Sequence, residues 1–123
     1  MKAKPRIYAK HFFDTNLKGA HFSDTEFRCV KFEDCELNNV DFSNSVFTRV
    51  LFENCVIIGA CFHRTKFDRC RFVNCSLVGA KFDWSRFIDA LFSNCDVNAV
   101  SIGGSEIKNI SFEDCIGWHS IVS

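Results

Sequence analysis

The stretch Cys55-Val-Ile-Ile-Gly-Ala60-Cys-Phe-His-Arg-Thr65-Lys-Phe-Asp-Arg-Cys70-Arg-Phe-Val-Asn74 puts an apolar residue at 57, 62, 67 and 72, a period of five. The phase runs without a miss from Leu17 to Phe112, through twenty centres of which thirteen are Phe. At 47% apolar composition, twenty hits in one fixed phase would arise by chance about once in a few million trials. Two residues before each centre lies a second restricted set, Thr15, Ala20, Thr25, Val30, Cys35 and onward to Ile110, in which every residue is small or β-branched.

A period of five matches neither the 3.6-residue helix nor the two-residue alternation of a strand. A short extended piece of about three residues followed by a two-residue corner would turn each centre inward. Four such sides close a square coil of twenty residues. The columns at that interval agree: Leu17, Leu37, Ile57, Leu77 and Val97 form the first side, while the second, third and fourth sides begin at Phe22, Phe27 and Phe32 and stay Phe through the next three coils. Cys35, Cys55, Cys75, Cys95 and Cys115 make another twenty-spaced column, and Thr25, Ser45, Thr65, Ser85 and Ser105 a further one.

These residues, as in Gly79-Ala-Lys-Phe-Asp and Asn54-Cys-Val-Ile-Ile, resemble the pentapeptide-repeat family over residues 15–114, twenty repeats in five coils. The resemblance implies an all-β fold, a right-handed quadrilateral β-helix. Between the small position and the centre the family favours Asp or Asn, whereas this chain mostly carries Lys, Glu, His, Val or Leu. Stacked coils would pair their backbones with the coil above and below, and stability would be a sum over coils and their interfaces.

The domain organisation expected is a cap or arm over 1–14, the solenoid over 15–114, and a cap or dimer contact over 115–123. Gly19, Asn39, Gly59 and Gly79 on the first side and Asn54, Asn74 and Asn94 on the fourth are corner types that tolerate positive φ. Arg64, Trp84, Arg49 and Arg69 hold that slot on the second and third sides, which predicts a different turn there. Trp118-His-Ser-Ile-Val122 is apolar for a chain end, folding over the last coil or meeting a second copy. The resemblance also implies dimerisation through the C-terminal end, as in some family members.

Fifteen basic and fifteen acidic residues cancel, so no excess charge steers the chain to nucleic acid. No apolar run suits a signal peptide or a membrane span, which makes the cytosol the expected compartment. Six of the eight cysteines follow the small-residue phase. They read as buried free thiols rather than a disulfide framework.

For catalysis the best set is Cys61, His63 and Asp83, a thiol and an imidazole flanking Phe62 with a carboxylate one coil on. A flat outer face offers no water-excluding pocket, and neither a CxxC pair nor a second His completes a zinc set. No catalytic residue, metal or cofactor is therefore expected. Outward apolar residues on the fourth and first sides, Leu51, Val73 and Leu91 with Val56, Ile58 and Val78, would form a partner or self-association face. A basic patch of Arg64, Lys66, Arg69, Arg71 and Arg86 forms the waist of the rod, between acidic ends. The expected function is a non-catalytic scaffold binding a protein partner. The alternative comes from the resemblance: members conferring quinolone resistance bind DNA gyrase as acidic, duplex-like rods. Here the basic waist interrupts such a rod.

Overall fold

The computed structural model describes residues 3–122. Strands β1 (Arg6–Tyr8) and β2 (His11–Phe13) are followed by β3 (Glu26–Arg28) and β4 (Lys31–Glu33), β5 (Val46–Thr48) and β6 (Leu51–Glu53), β7 (Lys66–Asp68) and β8 (Arg71–Val73), β9 (Arg86–Ile88) and β10 (Ala90–Ser93), and β11 (Glu106–Ile107) and β12 (Ile110–Glu113). Odd-numbered strands form one six-stranded parallel sheet and even-numbered strands another. Every pairing is offset by twenty residues, as in Phe47↔Phe67 and Phe52↔Phe72. These sheets are the third and fourth sides of a square coil. The first and second sides are tied by single parallel bridges such as Val56↔Ser76 and Cys61↔Lys81. Six strands at about 4.8 Å make a rod about 24 Å long.

The interior is the Phe array anticipated from the period. Ile57, Phe62, Phe67 and Phe72 are all fully buried. Rings stack along each column, Phe52 on Phe72 at 4.6 Å and Phe62 on Phe82 at 4.7 Å, with planes within 2° of parallel. Rings on adjacent sides meet edge to face, as Phe62 does Phe72 at 89°. Both geometries suit the ring quadrupole. The small residues beside the centres hydrogen-bond along the axis. The Cys35, Cys55, Cys75, Cys95 and Cys115 thiols donate to the carbonyls of Phe12, Phe32, Phe52, Phe72 and Phe92 at 3.2–3.4 Å. The Ser45, Thr65, Ser85 and Ser105 hydroxyls do the same on the second side, reaching the Phe22, Phe42, Phe62 and Phe82 carbonyls. All eight cysteines are free thiols.

The expectation of a different turn on the second and third sides is overturned. Arg49, Arg64, Arg69 and Trp84 have φ of 53°, 53°, 56° and 61°, in the same left-handed region as Asn54 and Asn74. For such residues this conformation costs about 1–2 kcal/mol each. Coil-to-coil hydrogen bonding imposes it: the N–H groups of Arg49, Arg64, Arg69 and Trp84 donate to the Asp68, Asp83, Ile88 and Gly103 carbonyls at 2.9–3.1 Å. Turning the corner otherwise would leave those donors unpaired.

The ends also differ from the expected division. Residues 6–13, expected as a cap or arm, continue both sheets, with Ile7↔Phe27 and Phe12↔Phe32 in register. Lys10 occupies a small-residue position there, but at the first coil that site is exposed and accepts a long side chain. Beyond β12, Ile116 bridges Asp96, and α1 (His119–Val122) follows. Trp118 stacks on Phe112 at 6.5 Å, covering part of the last coil. Ser123 and Met1–Lys2 lie outside the described residues.

Candidate functional site

Register along the axis decides which outward residues meet. Leu51, Arg71 and Leu91 occupy successive rungs of one column, so Arg71 separates the two leucines. Val73 follows Glu53 and precedes Ser93 in the neighbouring column. On the first side Val56 and Ile58 flank Ile57, and Val78 lies one coil beyond Ile58. Val56 is 37% and Ile58 41% exposed. The candidate apolar face therefore resolves into a compact group, Val56, Ile58 and Val78, and the separated Leu51, Val73 and Leu91.

The basic residues spread around the rod. Lys66 and Arg86 stack as like charges on the third side, with Arg86 Nε 3.8 Å from Glu106. Arg64 and Arg69 stand at the corners on either side of Lys66, and Arg71 is on the fourth side. Arg69 lies 3.8 Å from Asp68. Four of the five belong to one coil, so they form a band round two corners rather than a single patch.

Among the candidate catalytic residues, His63 and Asp83 are brought together, Nε2 to Oδ2 at 3.4 Å. Asp83 is already engaged: it accepts from the Ser101 hydroxyl at 2.9 Å and the Gly103 N–H at 2.7 Å. His63 Nε2 is buried without a hydrogen-bond partner. No hydrogen bond joins Cys61 to His63 among the described residues, so the pair lacks the contact that activates a thiol. Nor is any group of three or more His, Cys, Asp or Glu placed to hold a metal ion among the described residues.

Two features escaped the sequence reading. Trp84 is 66% exposed at the corner between second and third sides. Its indole rests over Gly104, where an added Cβ would come within 2.5 Å of Cε3. The twenty-residue offset of Trp84 and Gly104 was the available signal. The other feature is a groove of about 410 Å³ at the edge between third and fourth sides, where Tyr8, Arg28, Thr48, Arg49, Asp68 and Arg69 meet. Its signal was the pair of columns 8/28/48/68 and 29/49/69, legible once outward residues are read at the coil interval.

Parallel coils, filled interior and flat faces define a β-solenoid. The family model for the pentapeptide repeat region matches residues 3–62 and 45–116, and the chain belongs to that family. Its coils wind right-handed, as in the solved relatives. A pentapeptide repeat protein, Rfr23, from the cyanobacterium Cyanothece 51142 superimposes with a TM-score of 0.80 at 11% identity, covering 88% of each chain. QnrB1, a plasmid-mediated fluoroquinolone resistance protein, gives 0.57 at 15% identity, over 89% of this chain and 63% of its own. A pentapeptide repeat protein from the Arabidopsis thaliana thylakoid lumen gives 0.54 at 20% identity, over 83% and 61%. These likenesses establish the fold. No curated protein matches the chain. Among the described residues no helix is long and apolar enough to cross a membrane.

Proposed function

We propose that the protein is a non-catalytic binding module of the cytosol, a rigid square rod whose outer faces dock a protein partner. The observation that carries this reading is the outward placement of apolar side chains on a rod whose interior is already filled. Ile58 and Val78 border one edge of the second side and Trp84 the other, while Val56 stands at the far edge of the first side. Trp is the residue type most concentrated at binding hot spots, and a solenoid presents such anchors at fixed spacing. Free thiols fit a reducing compartment. Replacing Ile58 and Val78 by Lys, or Trp84 by Ala, should abolish capture of the partner from native extract while the strand spectrum stays unchanged. Cys61→Ala should leave capture intact. Undiminished capture by both surface variants, with unaltered size on gel filtration, would remove the reading.

The duplex-mimic alternative requires uncompensated acidic rows. On the fourth side, where Glu33 and Glu53 stack, Lys31 reaches both at 3.2 and 3.3 Å and His11 reaches Glu33 at 2.9 Å. That neutralisation favours the scaffold. A supercoiling assay with fluoroquinolone separates the two, since protection of gyrase would select the mimic. A second copy docking at the C-terminal coil, where Ile107 and Ile116 are exposed, would appear as a concentration-dependent dimer.

A further inference from the structure

The groove between third and fourth sides lies diagonally across the square from Ile58 and Val78, so it is a separate surface. Arg28 projects from β3, and Arg49 and Arg69 stand one coil apart at the corner that follows β5 and β7. Arg28 packs its guanidinium against the Tyr8 ring, 5.9 Å from the centroid. Arg69 has Asp68 at 3.8 Å, and Arg28 and Arg49 form no salt bridge among the described residues. Asp89, next along the corner, is engaged by the Asn109 side chain at 3.2 Å. Three guanidinium groups thus share one carboxylate in the groove, leaving two positive charges uncompensated.

The corner residues add an independent observation. Arg49 and Arg69 hold left-handed backbone at φ 53° and 56°, where Asn or Gly would be easier. The equivalent corner of the fourth side uses Asp or Asn in every coil, from Asp14 through Asp114. Since the next coil's hydrogen bonds hold this conformation whatever the side chain, as at Ala9 and Cys29, the corner is free to carry cations, and it does so on two successive coils. Guanidinium groups on successive coils, with Arg28 and Thr48 also lining the groove, supply N–H donors from several directions, which suits the three oxygens and double charge of a phosphoryl group.

We propose that this groove binds a phosphate monoester, its dianionic phosphoryl oxygens held by Arg28, Arg49 and Arg69. A free metabolite and a phosphorylated side chain present the same phosphoryl group, and the recognised chemistry is common to both. The test is NMR titration of the full chain with adenosine monophosphate and, separately, with a phosphoserine peptide. Saturable shifts should centre on the backbone of residues 28, 49 and 69. Tighter binding of the nucleotide assigns a metabolite source and tighter binding of the peptide a protein source.

Arg49→Asn and Arg69→Asn each remove a charge while easing the corner. Each should weaken binding about tenfold, the loss of one charge-assisted contact, with a melting temperature unchanged or raised. Affinity should also rise between pH 5 and 7 as the phosphate second proton, with a pKa of about 6, leaves. Arg64→Asn, at another corner, should have no effect. The proposal is overturned if neither ligand shifts residues 28, 49 and 69, or if Arg64→Asn weakens binding as much as Arg49→Asn.

Discussion

The corners that close the third and fourth sides share a backbone and differ in chemistry. After each fourth-side strand comes Asp or Asn in the left-handed position, then, from the second coil on, a cysteine whose thiol bonds back to the preceding coil. After each third-side strand the left-handed residues are Ala9, Cys29, Arg49, Arg69 and Asp89, and the residue that follows is Val30, Val50, Cys70 or Ala90 through the central coils. At Asn109 the left-handed conformation is absent. The first corner is chosen for the backbone. At the second, the ladder still holds the turn, and side-chain identity is released for work on the outside.

The interior should not distinguish the two sides. Phe47→Ala and Phe52→Ala each remove a fully buried ring stacked on both neighbours and should each cost about 3–5 kcal/mol in urea unfolding. A gap of more than about 1 kcal/mol between them would move the difference from the corners to the core. Cys75→Ala should cost about 1–2 kcal/mol, because the Phe52 carbonyl loses its donor and a small void opens. Cys75→Ser should recover most of this, as Ser45 and Ser85 already perform the same role.

Corner exchange is the more direct test. Asn74→Arg should destabilise by about 1 kcal/mol and Arg49→Asn should stabilise by a similar amount; equal effects of one sign would break the contrast. Thiol reactivity gives the smallest perturbation. Burial pushes the Cys70 thiol up to about 12, and its contacts with Cys55 and Cys95, together with burial, push Cys75 up as well. A raised pKa leaves less thiolate at pH 8 than a free cysteine has, so alkylation followed by mass spectrometry should mark exposed Cys29 first. Native labelling of Cys75 at the rate of Cys29 would show that the column opens.

Inward positions were legible because large rings at a fixed interval leave one arrangement that buries them. The coil length, the four columns and the placement of Cys55, Ala60, Thr65 and Cys70 beside the core all follow from that interval. Corner conformation was not legible at Arg49, Arg64 and Trp84, since intrinsic preference there is overruled by the hydrogen bonds of the next coil. The start of the solenoid was obscured by Lys10, a residue excluded from inner coils and harmless at the end. On the outside, Leu51 and Leu91 invite grouping until the twenty-residue register puts Arg71 between them; the same register would have joined Tyr8, Arg28, Arg49 and Arg69.

The indole of Trp84 seated over Gly104 bears on how such a chain can lengthen. Duplicating a twenty-residue segment elsewhere would insert another coil with Phe on Phe and Cys on Cys, and the rod would simply grow. Between Trp84 and Gly104 an inserted corner bearing any side chain would put it where the indole leaves no room for a Cβ. That seam admits a new coil only where the residue set beneath the indole is again glycine.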